Sequence, residues 1–175
     1  GKEFIRERQY ARAVEKLELC LARDPNYLPA LTDLAMVNYR NMEYAKAMDL
    51  LKRALSVDTY DPAANFYYGL TALTLNKETD ARDGFDIAVQ DPGYRGAAYT
   101  ELSRMELRER RYEKAIDYAE LALRENQVNV EAMQMLAAAH RLRPRAADEL
   151  PDAGRDSLWL SRLKFINPLN HFAWF

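Results

Sequence analysis

The chain has 175 residues, and 25 Lys and Arg stand against 27 Asp and Glu, so its formal net charge of −2 gives no global attraction to nucleic acid or anionic lipid. Apolar residues make up 49%, enough for a continuous core, and six glycines and seven prolines are too few to break up an almost wholly helical chain. No apolar run approaches the roughly 18 residues that span a bilayer, and no charged-then-apolar leader opens the sequence, so a cytoplasmic setting is expected before an exported one.

Taken in order, Gly1 to Glu7 reads as the latter half of a helix whose beginning is missing, separate from a helix over Tyr10 to Asp24. Helices then follow over Pro29 to Asn41, Tyr44 to Asp58, Pro62 to Asn76, Glu78 to Pro92, Arg95 to Glu109, Tyr112 to Asn126 and Val130 to Arg143. Pro144, Pro151 and Gly154 break the pattern beyond that point. Asp156 to Ile166 is expected to be helical again, ending in Asn167-Pro168, and Leu169 to Phe175 starts a further helix.

These segments alternate between two kinds, and equivalent residues return every 34 positions. Ala13, Ala47, Ala81 and Ala115 form one series, and Cys20, Ala54, Ala88 and Ala122 another. In the alternate helices the series are Ala30, Ala64, Ala98, Ala132 and Ala35, Gly69, Ser103, Ala137. Small side chains at both sets of positions let paired antiparallel helices approach closely. Leu17, Leu51 and Phe85 fill the space between; Ala119 falls in that series, leaving Tyr118 or Leu121 to supply the volume. Cys20, the lone cysteine, stands where other repeats have alanine and is expected to be a buried filler; no disulfide or CxxC motif is available.

A fixed period of this length is the mark of a solenoid. The pattern resembles the tetratricopeptide repeat: Tyr68-Gly69 stands for its L-G, Ala81 with Phe85 for A-x3-F, and Pro25 for the closing proline. Tyr10-Ala11-Arg12-Ala13 and Tyr112-Glu113-Lys114-Ala115-Ile116 resemble the family's opening of the second helix. Thr59, Gly93 and Gln127 depart from the proline site, and no tryptophan opens a first helix before Trp174. The expected fold is all-α, a right-handed α-solenoid of antiparallel helix pairs forming a tetratricopeptide-like superhelix. Its expected organisation is one array over 1–175: a partial repeat at 1–27, full repeats at 28–61, 62–93 and 94–127, an atypical repeat at 128–168 with a seven-residue insertion, and a new helix at 169–175. An array cut at both ends is expected to be part of something longer, with self-association through uncapped ends.

The resemblance implies that first helices line a concave wall where a protein or peptide partner lies. The residues expected there are Thr32, Asp33, Met36 and Tyr39, then Phe66, Tyr67 and Leu70. Further along come Thr100, Glu101, Arg104 and Arg108, then Gln134, Met135, Ala138 and Arg141. Aromatic and methionine side chains beside a few charges suit capture of a peptide or helix. Arg104, Arg108, Arg141, Arg143 and Arg145 offer an anionic anchor on one reading; on the simpler one they pair with Glu101, Glu106 and Glu109. Thr32, Met36, Tyr67, Ala97 and Glu101 lack the lysines and asparagines with which some members clamp a carboxyl terminus.

No catalysis is expected. His140 and His171 are the only histidines, the first on a helix face, and no GxSxG, HExxH, P-loop or GxGxxG occurs. Asp148, Glu149 and Asp152 read as solvated loop, and no cofactor, metal, membrane or nucleic-acid partner is implied; base readout would need one polar code in every repeat. The alternative reading rests on Asn167 to Ala173, which is similar to a stretch in helical-repeat regions of large bacterial proteins with carbohydrate-associated domains. On that reading the chain is a helical appendage of a larger enzyme.

Overall fold

The computed structural model describes residues 2–144 and Ser161, with side chains described from residue 9. The described chain forms α1 (Lys2–Arg23), α2 (Leu28–Arg40), α3 (Tyr44–Val57), α4 (Pro62–Thr74), α5 (Glu78–Ala88), α6 (Pro92–Arg108), α7 (Tyr112–Glu125) and α8 (Val130–Leu142). Every element among the described residues is helical, and the all-α solenoid of helix pairs is the observed fold. The chain divides into two compact units, Gly1–Tyr94 and Arg95–Phe175, with the boundary inside α6. The expected insertion, the helix at Asp156 to Ile166 and the new helix at Leu169 lie outside the described residues, apart from Ser161.

Two kinds of turn recur with the sequence period. Within each hairpin the chain reverses through one left-handed residue: Met42 at φ 65°, Asn76 at 57° and Arg110 at 59°. The next amide reaches back five residues: Glu43 N–H to the Asn38 carbonyl, Lys77 to Ala72 and Arg111 to Glu106, each at 2.9 Å. This closure satisfies helix-end carbonyls that would otherwise lack donors. Between hairpins a short side chain accepts the amide two residues on: Asp24 from Asn26 at 3.1 Å, Asp58 from Tyr60 at 2.9 Å and Asn126 from Val128 at 3.1 Å. Such side-chain turns nucleate the start of a helix.

Pro92 occupies the matched position of the third repeat and has no such side chain. Asp91 accepts the Gly93 amide instead, at 2.8 Å, and Pro92 opens α6 in the first turn, where no intrahelical acceptor awaits an N–H. Two expectations are corrected as a result: α5 ends at Ala88 rather than Pro92, and α6 begins at Pro92 rather than Arg95. A third correction concerns the start of the chain. Gly1 to Glu7 and Tyr10 to Asp24 were expected as separate helices, but α1 runs unbroken through Arg8, the position that matches Met42.

In the first unit Leu31, Leu51, Ala54 and Ala64 are buried at the centre, with Val14, Leu17 and Leu21 of α1 packed against them. Each fully buried leucine contributes about 1.5–3 kcal/mol relative to exposure. Ala13 and Cys20, the latter expected as a buried filler, are only half-buried, unlike their fully buried alanine counterparts. Helix α4 crosses α5 with backbone close to side chain and backbone. A Cβ on Gly69 would lie 2.7 Å from the Phe85 ring, and one on Gly84 would lie 2.7 Å from the Asn65 carbonyl oxygen. Phe85 itself is fully buried.

In the second unit Ala115, Ala119, Ala122, Ala132, Met133 and Leu136 form the core. Ser103, in the small-residue series, is fully buried and donates its hydroxyl to the Ala115 carbonyl at 2.7 Å, which ties α6 to α7. Beside Ala119, Tyr118 stacks on Tyr99 with ring centroids 6.0 Å apart.

Two substitutions test this packing by equilibrium urea denaturation. Left-handed geometry costs a side chain with a Cβ about 1–2 kcal/mol, and glycine escapes it, so Met42→Gly should stabilise by about 1 kcal/mol while Asn76→Gly changes little. Met42 is 75% exposed, so its side chain gives up no packing in the exchange. Gly84→Ala should have the opposite sign from an ordinary helix interior: the new methyl meets backbone, and a loss of about 1–3 kcal/mol is expected.

Candidate functional site

The wall of the first unit is made by α2 and α4, which pack side by side. Asp33 is exposed on it, while Met36, Phe66, Tyr67 and Leu70 are half-buried. Thr32 departs from its expected role as a contact residue: it is only 7% exposed, and among the described residues its hydroxyl has no hydrogen-bond partner. Rings join in a row. Tyr44 meets Tyr39 edge-on at 5.6 Å, Tyr39 meets Tyr67 at 6.5 Å, Tyr67 meets Phe66 at 5.6 Å, and Phe66 meets Tyr94 at 5.4 Å. Phe66 also touches the buried Phe85 at 5.9 Å, which anchors the row to the core. These separations lie in the favourable range for aromatic pairs.

Sequence reasoning missed Tyr44 and Tyr94 as parts of this row. Tyr94 joins because α6 starts early, and the Asp91-Pro92 dipeptide was the available signal for that start. The Tyr94 hydroxyl is held above its ordinary pKa, first by burial and then by Tyr67 and the carboxylates of Asp61, Asp91 and Asp33. The wall is poor in cations. Helix α4 has no charged side chain, and α2 has only Asp33 and the terminal Arg40.

In the second unit, Thr100 and Glu101 are buried at 2% and 8% exposure and so offer little surface. Thr100 donates to the Gly96 carbonyl at 2.8 Å and accepts from the Asn129 amide at 3.0 Å. Arg104 bridges Glu101 and Glu131, each at 3.1 Å, and so links α6 to α8. Burial pushes the Glu101 carboxyl up, Glu131 adds to the rise, and Arg104 and Arg108 oppose it. Arg108 and Arg141 are exposed, and Gln134 is half-buried. Arg143 pairs with Glu113 at 3.1 Å, and Arg111 holds both the buried Glu106 and the exposed Glu109. Ordinary ion pairing therefore describes Arg104 and Arg143, while Arg145 lies outside the described residues. His140 is buried at 7% exposure. Among the described residues no three His, Cys, Asp or Glu side chains gather to hold a metal, and no helix is long and apolar enough to cross a membrane.

Residues 4–65 match the tetratricopeptide-repeat family profile. This stretch carries tetratricopeptide repeats. Solved structures extend the likeness in fold to nearly the whole chain. MamA shares 18% identity over 96% of this chain and 88% of its own, with a TM-score of 0.74. PilW, a widely conserved type IV pilus biogenesis factor, shares 20% over 96% of this chain and 74% of its own, with a TM-score of 0.78. YrrB, a tetratricopeptide-repeat protein with an unusual peptide-binding site, shares 14% over 99% of this chain and 86% of its own, with a TM-score of 0.72. No curated protein matches. Asn167 to Ala173, which carried the appendage alternative, lies outside the described residues.

Glu101 generates a pH-dependent prediction. Its folded pKa lies above the ordinary 4.5, so the folded state holds the proton longer than the unfolded state does. The stability tied to that proton is present below pH 4.5 and is lost as pH rises through the folded value. Glu101→Gln should escape this loss. Its melting temperature relative to the parent should climb from acid to neutral pH in a calorimetric series; a constant offset would contradict the assignment.

Proposed function

We propose that the tetratricopeptide-like wall of the first unit captures a peptide or helix from a partner protein, or from another domain of the same chain, and catalyses no reaction. The observation that carries this reading is the row of half-buried rings from Tyr44 through Tyr39, Tyr67 and Phe66 to Tyr94. Rings held on packed helices give a partner large apolar contact with little ordering cost, which is how binding energy concentrates at interfaces. Met36 and Leu70 add adaptable apolar area beside them, and Asp33 adds a charge. Stacked helix pairs commonly serve as protein-binding scaffolds through such surfaces. YrrB, of similar fold, has a peptide-binding site of its own, which supports the reading.

The second unit's wall has a different character. There Arg104, Arg108, Gln134 and Arg141 provide polar contacts, with Arg104 already positioned by Glu101 and Glu131. Preformed ion pairs limit what they add, so the first unit carries the weight of the proposal.

The test uses the 175-residue chain, immobilised and panned against displayed random-sequence peptides. Tyr67→Ala should weaken a selected peptide by about tenfold or more, as expected of a central aromatic contact. Far-UV circular dichroism should stay unchanged. Unaltered affinity would remove this wall from consideration.

A further inference from the structure

The charge pattern around the ring row goes further than an apolar groove requires. Asp33 lies one helical turn before Met36 on α2, exposed and without an ion pair among the described residues. Asp61 caps α4, accepting the Ala64 amide at 2.7 Å through one oxygen, and makes no ion pair either. Asp91 sits at the start of α6, where its backbone carbonyl accepts the Tyr94 amide at 3.1 Å. All three carboxylates raise the Tyr94 hydroxyl, whose ring packs on Phe66 at the end of the row. Helix α4 brings no cation to answer them, and the one cation of α2, Arg40, stands in its last turn.

Resting on the groove reading above, we propose that the partner segment is cationic: an arginine or lysine lies over the rings of Phe66, Tyr67 and Tyr94, with its charge facing Asp33, Asp61 and Asp91. Aromatic faces attract a cation, and a guanidinium can stack on a ring while hydrogen-bonding a carboxylate. A purely apolar segment would strip water from the carboxylates without replacing it, and an acidic one would be repelled. A segment with arginine or lysine next to apolar residues satisfies both the rings and the charges.

The same panning experiment decides the matter when the selected peptides are sequenced. Selected peptides should be enriched in arginine and lysine over the input library. For a selected, fluorescently labelled peptide, Asp33→Asn should weaken binding by about three- to tenfold at low salt and flatten its salt dependence. Asp33 is exposed, so this substitution leaves the packing intact. Neutral or acidic peptides that still lose affinity with Tyr67→Ala would overturn the cationic assignment and leave the groove standing. No selection at all, or peptides indifferent to Tyr67→Ala, would bring down both.

Discussion

The close approach of α4 and α5 is set by what two residues lack. Gly69 leaves room for the Phe85 ring, and Gly84 lets α5 lie against the α4 backbone near Asn65. Neither position tolerates a methyl without movement, and both lie inside helices, where glycine is otherwise unfavourable. That penalty is offset by burying Phe85 completely and by the close contact itself. At the counterparts of Gly69 the other repeats place Ala35, Ser103 and Ala137, small and all buried. The hairpin is therefore held together by small surfaces brought very close, and Phe85 transmits that order outward to Phe66 on the wall.

Turn chemistry then decides which side chains reach the wall. Three links follow one scheme, with Asp24, Asp58 and Asn126 each accepting an amide two residues on. The link before α6 shifts that role one residue earlier, to Asp91, because proline holds the usual place. A local exchange of one turn for another lengthens α6 at its start and seats Tyr94 on Phe66. The place of Tyr94 in the ring row thus depends on a departure from the repeat.

This also marks what could be read from the residues in advance. Positions governed by close packing were legible, since Ala30, Ala64, Ala98 and Ala132 can only be small at a helix crossing, and all four are buried. Most of the aromatic wall was legible too, because Phe66, Tyr67 and Tyr39 sit at helical spacing away from the packed positions. Burial of polar residues was not. Thr32 and Glu101 look like surface residues in sequence, yet their exposure is decided by neighbours on the next helix. Arg104 reaches Glu131, 27 positions away, and no local pattern predicts that pairing. The unbroken α1 escaped for a related reason: nothing in Gly1 to Glu7 distinguishes a helix that reverses from one that continues.

Helix α4 runs for 13 residues without a single charged side chain and carries Phe66, Tyr67 and Tyr68 in succession. In the closed hairpin its inner face is covered by α5 and the cap of Asp61 holds its start. Were α5 to peel away, water would meet a largely apolar surface with no gatekeeping charge along its length. The feature that leaves the wall open to a cation in the native state thus makes the partly opened chain adhesive, and the tight seam at Gly69 and Gly84 protects the molecule from self-aggregation as well as shaping its fold.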